Sequence, residues 1–159
     1  MAALVVVVAL AFWLSPWPSV AVITYMFSGA DQASEQALEK HVPAGIEARY
    51  DLPYGPHRDE VFDLFHLDAA SEPQATIVWV HGGGFIAGSK SGISNYMKVL
   101  AGRGYTTVAL EYSKGYGTTY PRPVEQVNAA LAYLISHATE LKIDPTRLVL
   151  AGGSAGAHI

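Results

Sequence analysis

"RLVLAGGSAGAHI", residues 147–159, sets a continuous apolar run directly against a serine framed by glycines. An unbroken apolar run such as 148–153, which follows Arg147, is the pattern of a strand covered on both faces, which belongs to a parallel sheet with helices on either side. Two upstream runs have the same character. "ATIVWV" (75–80) is β-branched, aromatic and uninterrupted, and "YTTVALEY" (105–112) is the second such run. Between them Ile93, Tyr96, Met97, Leu100 and Ala101 fall at i, i+3, i+4, i+7 and i+8, an amphipathic helix that Gly102 and Gly104 end. Between the second run and the third, Val124, Val127, Leu131, Leu134, Ile135, Ala138 and Leu141 form one apolar stripe, and Asp144-Pro145 is expected to break that helix. Strand, helix, strand, helix, strand implies parallel pairing through right-handed crossovers. The fold class is α/β. Ahead of this unit, "IEARYDL" (46–52) and "EVFDLFHL" (60–67) read as strands separated by a turn at Pro53, Gly55 and Pro56; the second alternates and predicts a half-buried strand.

The chain has 159 residues, 50% hydrophobic and 15% charged, and the apolar excess is local. Residues 1–30 carry no charged side chain, and Asp31 is the first. The remaining ~130 residues suffice for one domain and are too few for two. The expected organisation is a membrane anchor or signal segment at 1–30, a polar linker at 31–45 and an α/β domain at 46–159. A spanning helix needs about 20 apolar residues. Here 2–14 are apolar, Pro16 and Pro18 interrupt, and 20–27 resume, with Trp13 and Trp17 beside the break as at a membrane interface. Ser28-Gly29-Ala30 offers small residues for a signal peptidase, without a basic region ahead of the apolar one. Membrane attachment through residues 1–27, or passage through the secretion machinery, is expected, with a buried helix as the third reading. The protein is thus placed at the membrane or outside it. A net charge of −4 with no basic cluster argues against nucleic-acid binding. Cysteine is absent, which excludes disulfides and thiolate metal sites, and the six histidines show no zinc-binding spacing, so no metal is expected.

The chemistry concentrates in two glycine-rich motifs. Gly152-Gly153-Ser154-Ala155-Gly156 is a G-x-S-x-G at the end of a buried strand. If a helix starts at once, Ser154 is forced into a strained conformation, Gly152 and Gly156 have no room for a Cβ, and the hydroxyl stands out above the sheet. With 15 glycines in the chain, such a motif arises by chance about once in ten chains, so alone it is weak. His81-Gly82-Gly83-Gly84 directly follows "ATIVWV", and its chance occurrence is well under about one in a hundred. Both lie at the carboxyl ends of buried strands, where open α/β sheets hold their sites. One loop presents a nucleophile; the other presents N–H groups to a developing oxyanion. Other readings are weaker. "GGFIAGSKS" (83–91) departs from a phosphate-binding loop, with Ser89 at the lysine position and Lys90 one place late, and Gly82, Gly84 and Gly88 miss the dinucleotide spacing. "EYSKGYGTTYP" (111–121) either lines an acyl or sugar pocket or is a plain glycine-rich connection.

"HGGGF" followed by "GGSAGAH" resembles the α/β-hydrolase superfamily, in its esterase/lipase branch related to hormone-sensitive lipases and bacterial carboxylesterases. The resemblance runs from about Tyr54 to Ile159, with Tyr112 as the strand-end tyrosine and Tyr120-Pro121 at the start of the second helix. It implies the N-terminal part of an α/β-hydrolase fold, a mostly parallel sheet flanked by helices, preceded here by the apolar segment. It further implies Ser154 as nucleophile, an oxyanion hole from the N–H groups of Gly83, Gly84 and Ala155, and His81, Gly82, Gly152, Gly153 and Gly156 as motif residues that shape the two loops. Gln126 stands where the family usually has Asp, and Ser113 where it often has Arg. In this superfamily the acid and the histidine of the triad follow the serine. His81 is expected to order the oxyanion loop, His158 to pack one helical turn behind Ser154, and His41, His57, His66 and His137 to be surface or strand residues. The chain is therefore expected to be a fragment with turnover near background, its third strand left as an exposed apolar edge. The whole protein is expected to cleave small-molecule carboxylic esters without a cofactor. The alternatives are a membrane-tethered binding module of the same fold and a serine peptidase; the oligomeric state is not indicated.

Overall fold

A computed structural model describes residues 1–70 and 72–159, with all side chains among them except those of Phe27 and Ser28. The side chain of Ser28, part of the expected cleavage segment, thus lies outside the described residues.

Five strands form one sheet in the order β1 (Ile46–Pro53), β2 (Val61–Leu67), β4 (Thr106–Leu110), β3 (Gln74–Val80), β5 (Ile143–Gly152). β3 is parallel to β4 and β5, as the alternation with helices requires, while β2 runs antiparallel to β1 and β4. Helix α3 (Ser94–Ala101) makes the first crossover and buries Met97 and Ala101 against Phe65 and Ala109 on one face of the sheet. Helix α4 (Arg122–Ser136) makes the second and buries Val127, Ala130 and Leu134 against Phe62, Val78 and Val108 on the other. Val80, the last residue of β3, is opposite Gly152 of β5. Both glycine motifs therefore leave the sheet at one level.

Three expectations need correction. β2 is buried along Phe62–His66 on both faces, not half-buried, because β1 and β4 flank it and helices cover it. Its polar residues are matched: Asp63 accepts from Lys90 Nζ at 2.6 Å, and His66 Nδ1 lies 3.0 Å from the Leu67 carbonyl. The second helix ends at Ser136, and Ala138 and Leu141 bury from the turns beyond it. Asp144-Pro145 does not break that helix; it lies inside β5, in an excursion between the pairings of Ile143 and Leu148 that Asp144 closes by accepting from Thr146 N (2.9 Å) and Arg147 Nε (2.5 Å).

Of the segment expected as a linker (31–45), residues 31–39 are the last part of a helix. α1 (Ala2–Leu14) and α2 (Trp17–Glu39) meet at a bend of 94°, and residues 31–39 belong to α2. No single helix among the described residues is long and apolar enough to cross a membrane. The docking of α2 has a local cause. α3 has no side-chain cap of its own, and both Glu35 carboxylate oxygens accept from Asn95 N at 3.0 Å, while Asn95 Nδ2 donates to the Glu35 carbonyl at 2.9 Å. An orphan N–H at a helix start is thus satisfied from α2.

Candidate active site

Ser154 stands between β5 and the short helix α5 (Ala155–His158) with φ 50 and ψ −117. A non-glycine residue rarely takes positive φ, and the strain holds only where the surroundings over-determine it. Here they do. A Cβ on Gly156 would lie 2.0 Å from the Val80 carbonyl oxygen, and one on Gly152 would lie 2.7 Å from the Gly156 carbonyl carbon. With glycine at both positions α5 turns back hard against the end of β3, and Gly153 N donates to Val80 O at 3.2 Å. The Ser154 residue is exposed while Ala155 and Gly156 behind it are buried.

The second motif lies against this corner. A Cβ on Gly82 would be 2.8 Å from the Gly153 carbonyl oxygen and 3.2 Å from Ser154 Cβ. The loop beyond is tight: Gly83 has φ 122, and its carbonyl accepts from Ile86 N and Ala87 N. The N–H groups of Gly83, Gly84 and Ala155 take no part in the hydrogen bonds between described residues. Gly83 and the exposed Ser154 line one cavity, and Ala155 follows the serine directly.

Behind the loop His81, only 2% exposed, bridges two oxygens: its Nδ1 is 2.7 Å from the Gly82 carbonyl and its Nε2 is 2.9 Å from Glu111 Oε1. Both ring nitrogens are thus taken up by oxygen neighbours behind the loop. The ring stacks on Tyr112, whose hydroxyl donates to the His81 carbonyl at 2.9 Å. Burial pushes the Glu111 carboxyl up, but the His81 ring and the Lys114 ammonium outweigh it and hold the group at about 2. Burial and the Glu111 charge push the Tyr112 phenol up to about 12, so it stays a donor. Glu111 escaped the sequence reading because its partner is thirty residues away; its place at a strand end beside Tyr112 was the available signal.

Lys90, the lysine one place late for a phosphate-binding loop, is held by Asp63 and Asp51, at 2.6 and 2.8 Å. Gln126 and Ser113, the two departures from the family pattern, touch: Gln126 Nε2 donates to Ser113 Oγ at 2.8 Å and Ser113 N donates to Gln126 Oε1 at 2.8 Å. His158, expected to pack behind the serine, is instead exposed, with its ring edge-on to Phe85 at 5.8 Å, because α5 is a single turn whose outer face meets the oxyanion loop. The two rings line a cavity of about 300 Å³ with Tyr120, Pro123, Val124 and Ile159, so the 111–121 loop does form a pocket wall. A second cavity, about 230 Å³, opens directly on Ser154, His81, Gly82 and Gly83; Trp79 and Asp31 of α2 also line it. A wider cavity of about 620 Å³ lies at the opposite end of the sheet, near Pro73, Ile143 and Arg147, away from both motifs.

The BD-FAE family model matches residues 62–159, from β2 to the last residue of the chain. An acetyl esterase of Salmonella paratyphi B is 36% identical over 105 residues, covering 65% of this chain and 32% of that protein. The chain thus spans about a third of the length of the curated relatives it matches. Esterase B of Lactobacillus rhamnosis, in a phosphonate-inhibited form, superposes with a TM-score of 0.74 at 20% identity, covering 89% of this chain and 47% of that one. A thermophilic esterase from Thermogutta terrifontis has a TM-score of 0.60 at 28% identity, covering 72% of this chain and 42% of that one.

Proposed function

The chain belongs to the BD-FAE family, with an α/β-hydrolase fold, and from that premise we propose that the whole protein hydrolyses small-molecule carboxylic esters through an acyl-enzyme on Ser154. The observation that carries the reading is the left-handed corner at Ser154 pressed against Gly82, and the N–H groups of Gly83, Gly84 and Ala155, which take no part in the hydrogen bonds between described residues, support it. The Ser154 hydroxyl attacks the ester carbonyl, and the tetrahedral oxyanion receives those three N–H groups. The alkoxide leaves with a proton, and water then cleaves the acyl-enzyme. The base is a histidine oriented by a carboxylate, both following Ser154 in the order of the superfamily. Relatives named acetyl esterases and cavities of about 230 and 300 Å³ beside the elbow support short acyl groups. No cofactor enters this chemistry.

Turnover of p-nitrophenyl acetate by the whole protein and by its Ser154→Ala variant tests the reading. A loss of about 10⁴-fold or more is expected, and equal rates remove the serine from the mechanism.

The same proposal places residues 1–30 as a membrane anchor or export segment ahead of an α/β domain at 46–159. Support comes from α1, which has no charge and is exposed along nearly its whole length, and from Trp13 and Trp17 beside the bend. Flotation with phospholipid vesicles is expected for the full chain and lost on deletion of residues 1–16; flotation that survives the deletion counts against an anchor there.

A further inference from the structure

Helix α2 brings one charged group to the cavity in front of Ser154, the carboxylate of Asp31. It packs on the 3-10 turn Lys90–Ile93 so closely that a Cβ on Gly92 would lie 2.7 Å from both its Cγ and its Oδ2. Among the described residues it has neither a hydrogen-bond donor nor a salt-bridge partner. The nearby charges are committed elsewhere. Lys90 is held by Asp51 and Asp63, Lys98 lies over the Tyr50 and Phe65 rings, Glu35 caps Asn95, and the His81 ring is bound by Gly82 and Glu111. Burial pushes the Asp31 carboxyl up, and His81 pulls it partly back. A half-buried carboxylate without a partner is the group that an incoming cation stabilises most.

The rest of the cavity suits that cation. Trp79 and Ile93 supply apolar wall, and an indole attracts an ammonium group through its ring face. Gly83, whose N–H takes no part in the hydrogen bonds between described residues, lines one side of the cavity, and the Asp31 carboxylate makes another side electronegative.

We propose that this cavity binds ammonium-bearing esters, the carbonyl directed to the oxyanion loop and the cation to Asp31, and that Asp31 is the residue that sets this charge preference. The ester part of the inference rests on the serine-hydrolase reading; the cation site does not.

The test uses the whole protein with two probes of one shape, choline and its uncharged counterpart 3,3-dimethylbutan-1-ol, followed by titration calorimetry. Choline is expected to bind roughly tenfold more tightly. Asp31→Asn is expected to bring the two affinities together, and Asp31→Glu to keep them apart. The same ratio is read in kcat/KM for acetylcholine against 3,3-dimethylbutyl acetate, where Asp31→Asn is expected to lower it about tenfold. Equal affinities in the parent protein, or a preference that Asp31→Asn retains while the protein stays folded, overturn the proposal. Choline binding that depends on Asp31, without turnover of either ester, keeps the cation site and overturns the hydrolase reading. Turnover of both esters at a ratio indifferent to Asp31 does the reverse.

Discussion

At position 154 the backbone is held where a side chain costs about 1–3 kcal/mol, and the residues that hold it are small ones facing carbonyls. Behind the oxyanion loop the holding is electrostatic. The Glu111 carboxyl is depressed to about 2 from an ordinary 4.5, so its folded value lies below its unfolded one. Its contribution to stability is complete above the ordinary value and is lost as the pH falls through about 2. Urea melts taken from neutrality down to about pH 3 are expected to show that loss. Glu111→Gln is expected to flatten it and to cost about 3 kcal/mol at neutral pH, by leaving His81 and Lys114 without their shared partner. A pH dependence unchanged by the substitution would assign the acid loss to other carboxylates. Gln126 and Ser113 make the same point about partners: each looked like an isolated departure, and they are one hydrogen-bonded pair.

Among the elements, the strand-to-helix corner was legible because its signals are local, an apolar run followed by glycines at fixed places. Gly156→Ala puts a methyl 2.0 Å from the Val80 carbonyl oxygen, so α5 must move off β3. A loss of about 3 kcal/mol is expected, read as a fall of about 9 °C in Tm, together with a drop in esterase rate well beyond tenfold. Leu134→Ala, fully buried on α4, is expected to cost about 3 kcal/mol while the kcat of the folded protein stays unchanged; a kcat falling with it would couple α4 to the site. The end of α4 was misplaced because Ala138 and Leu141 keep the apolar spacing after the helix has ended. Burial of the turns produces the same periodicity as burial of a helix face.

The molecule as a whole carries two apolar exposures. Among the described residues β5 pairs only with β3, with Val149 54% and Leu150 51% exposed, and α1 packs on little besides α2. Unpaired apolar strand edges associate. Sedimentation velocity of the 159-residue chain is expected to show self-association, reduced by Leu150→Lys and by deletion of residues 1–16. A monodisperse chain at micromolar concentration would show that β5 is protected in solution.

From the sequence alone came the α/β class, the three parallel strands, and the two motifs with Ser154, Gly83, Gly84 and Ala155 at their tips. All of these are written in spacings of a few residues, which backbone geometry converts directly into strand, turn and helix. Only the tertiary structure decided the sheet order, the burial of β2 on both faces, the anchoring of His81 by Glu111, and the arrival of Asp31 at the mouth of the site. These depend on which surfaces exclude water together. Contacts such as Glu35 with Asn95, sixty positions apart, leave no local period to read.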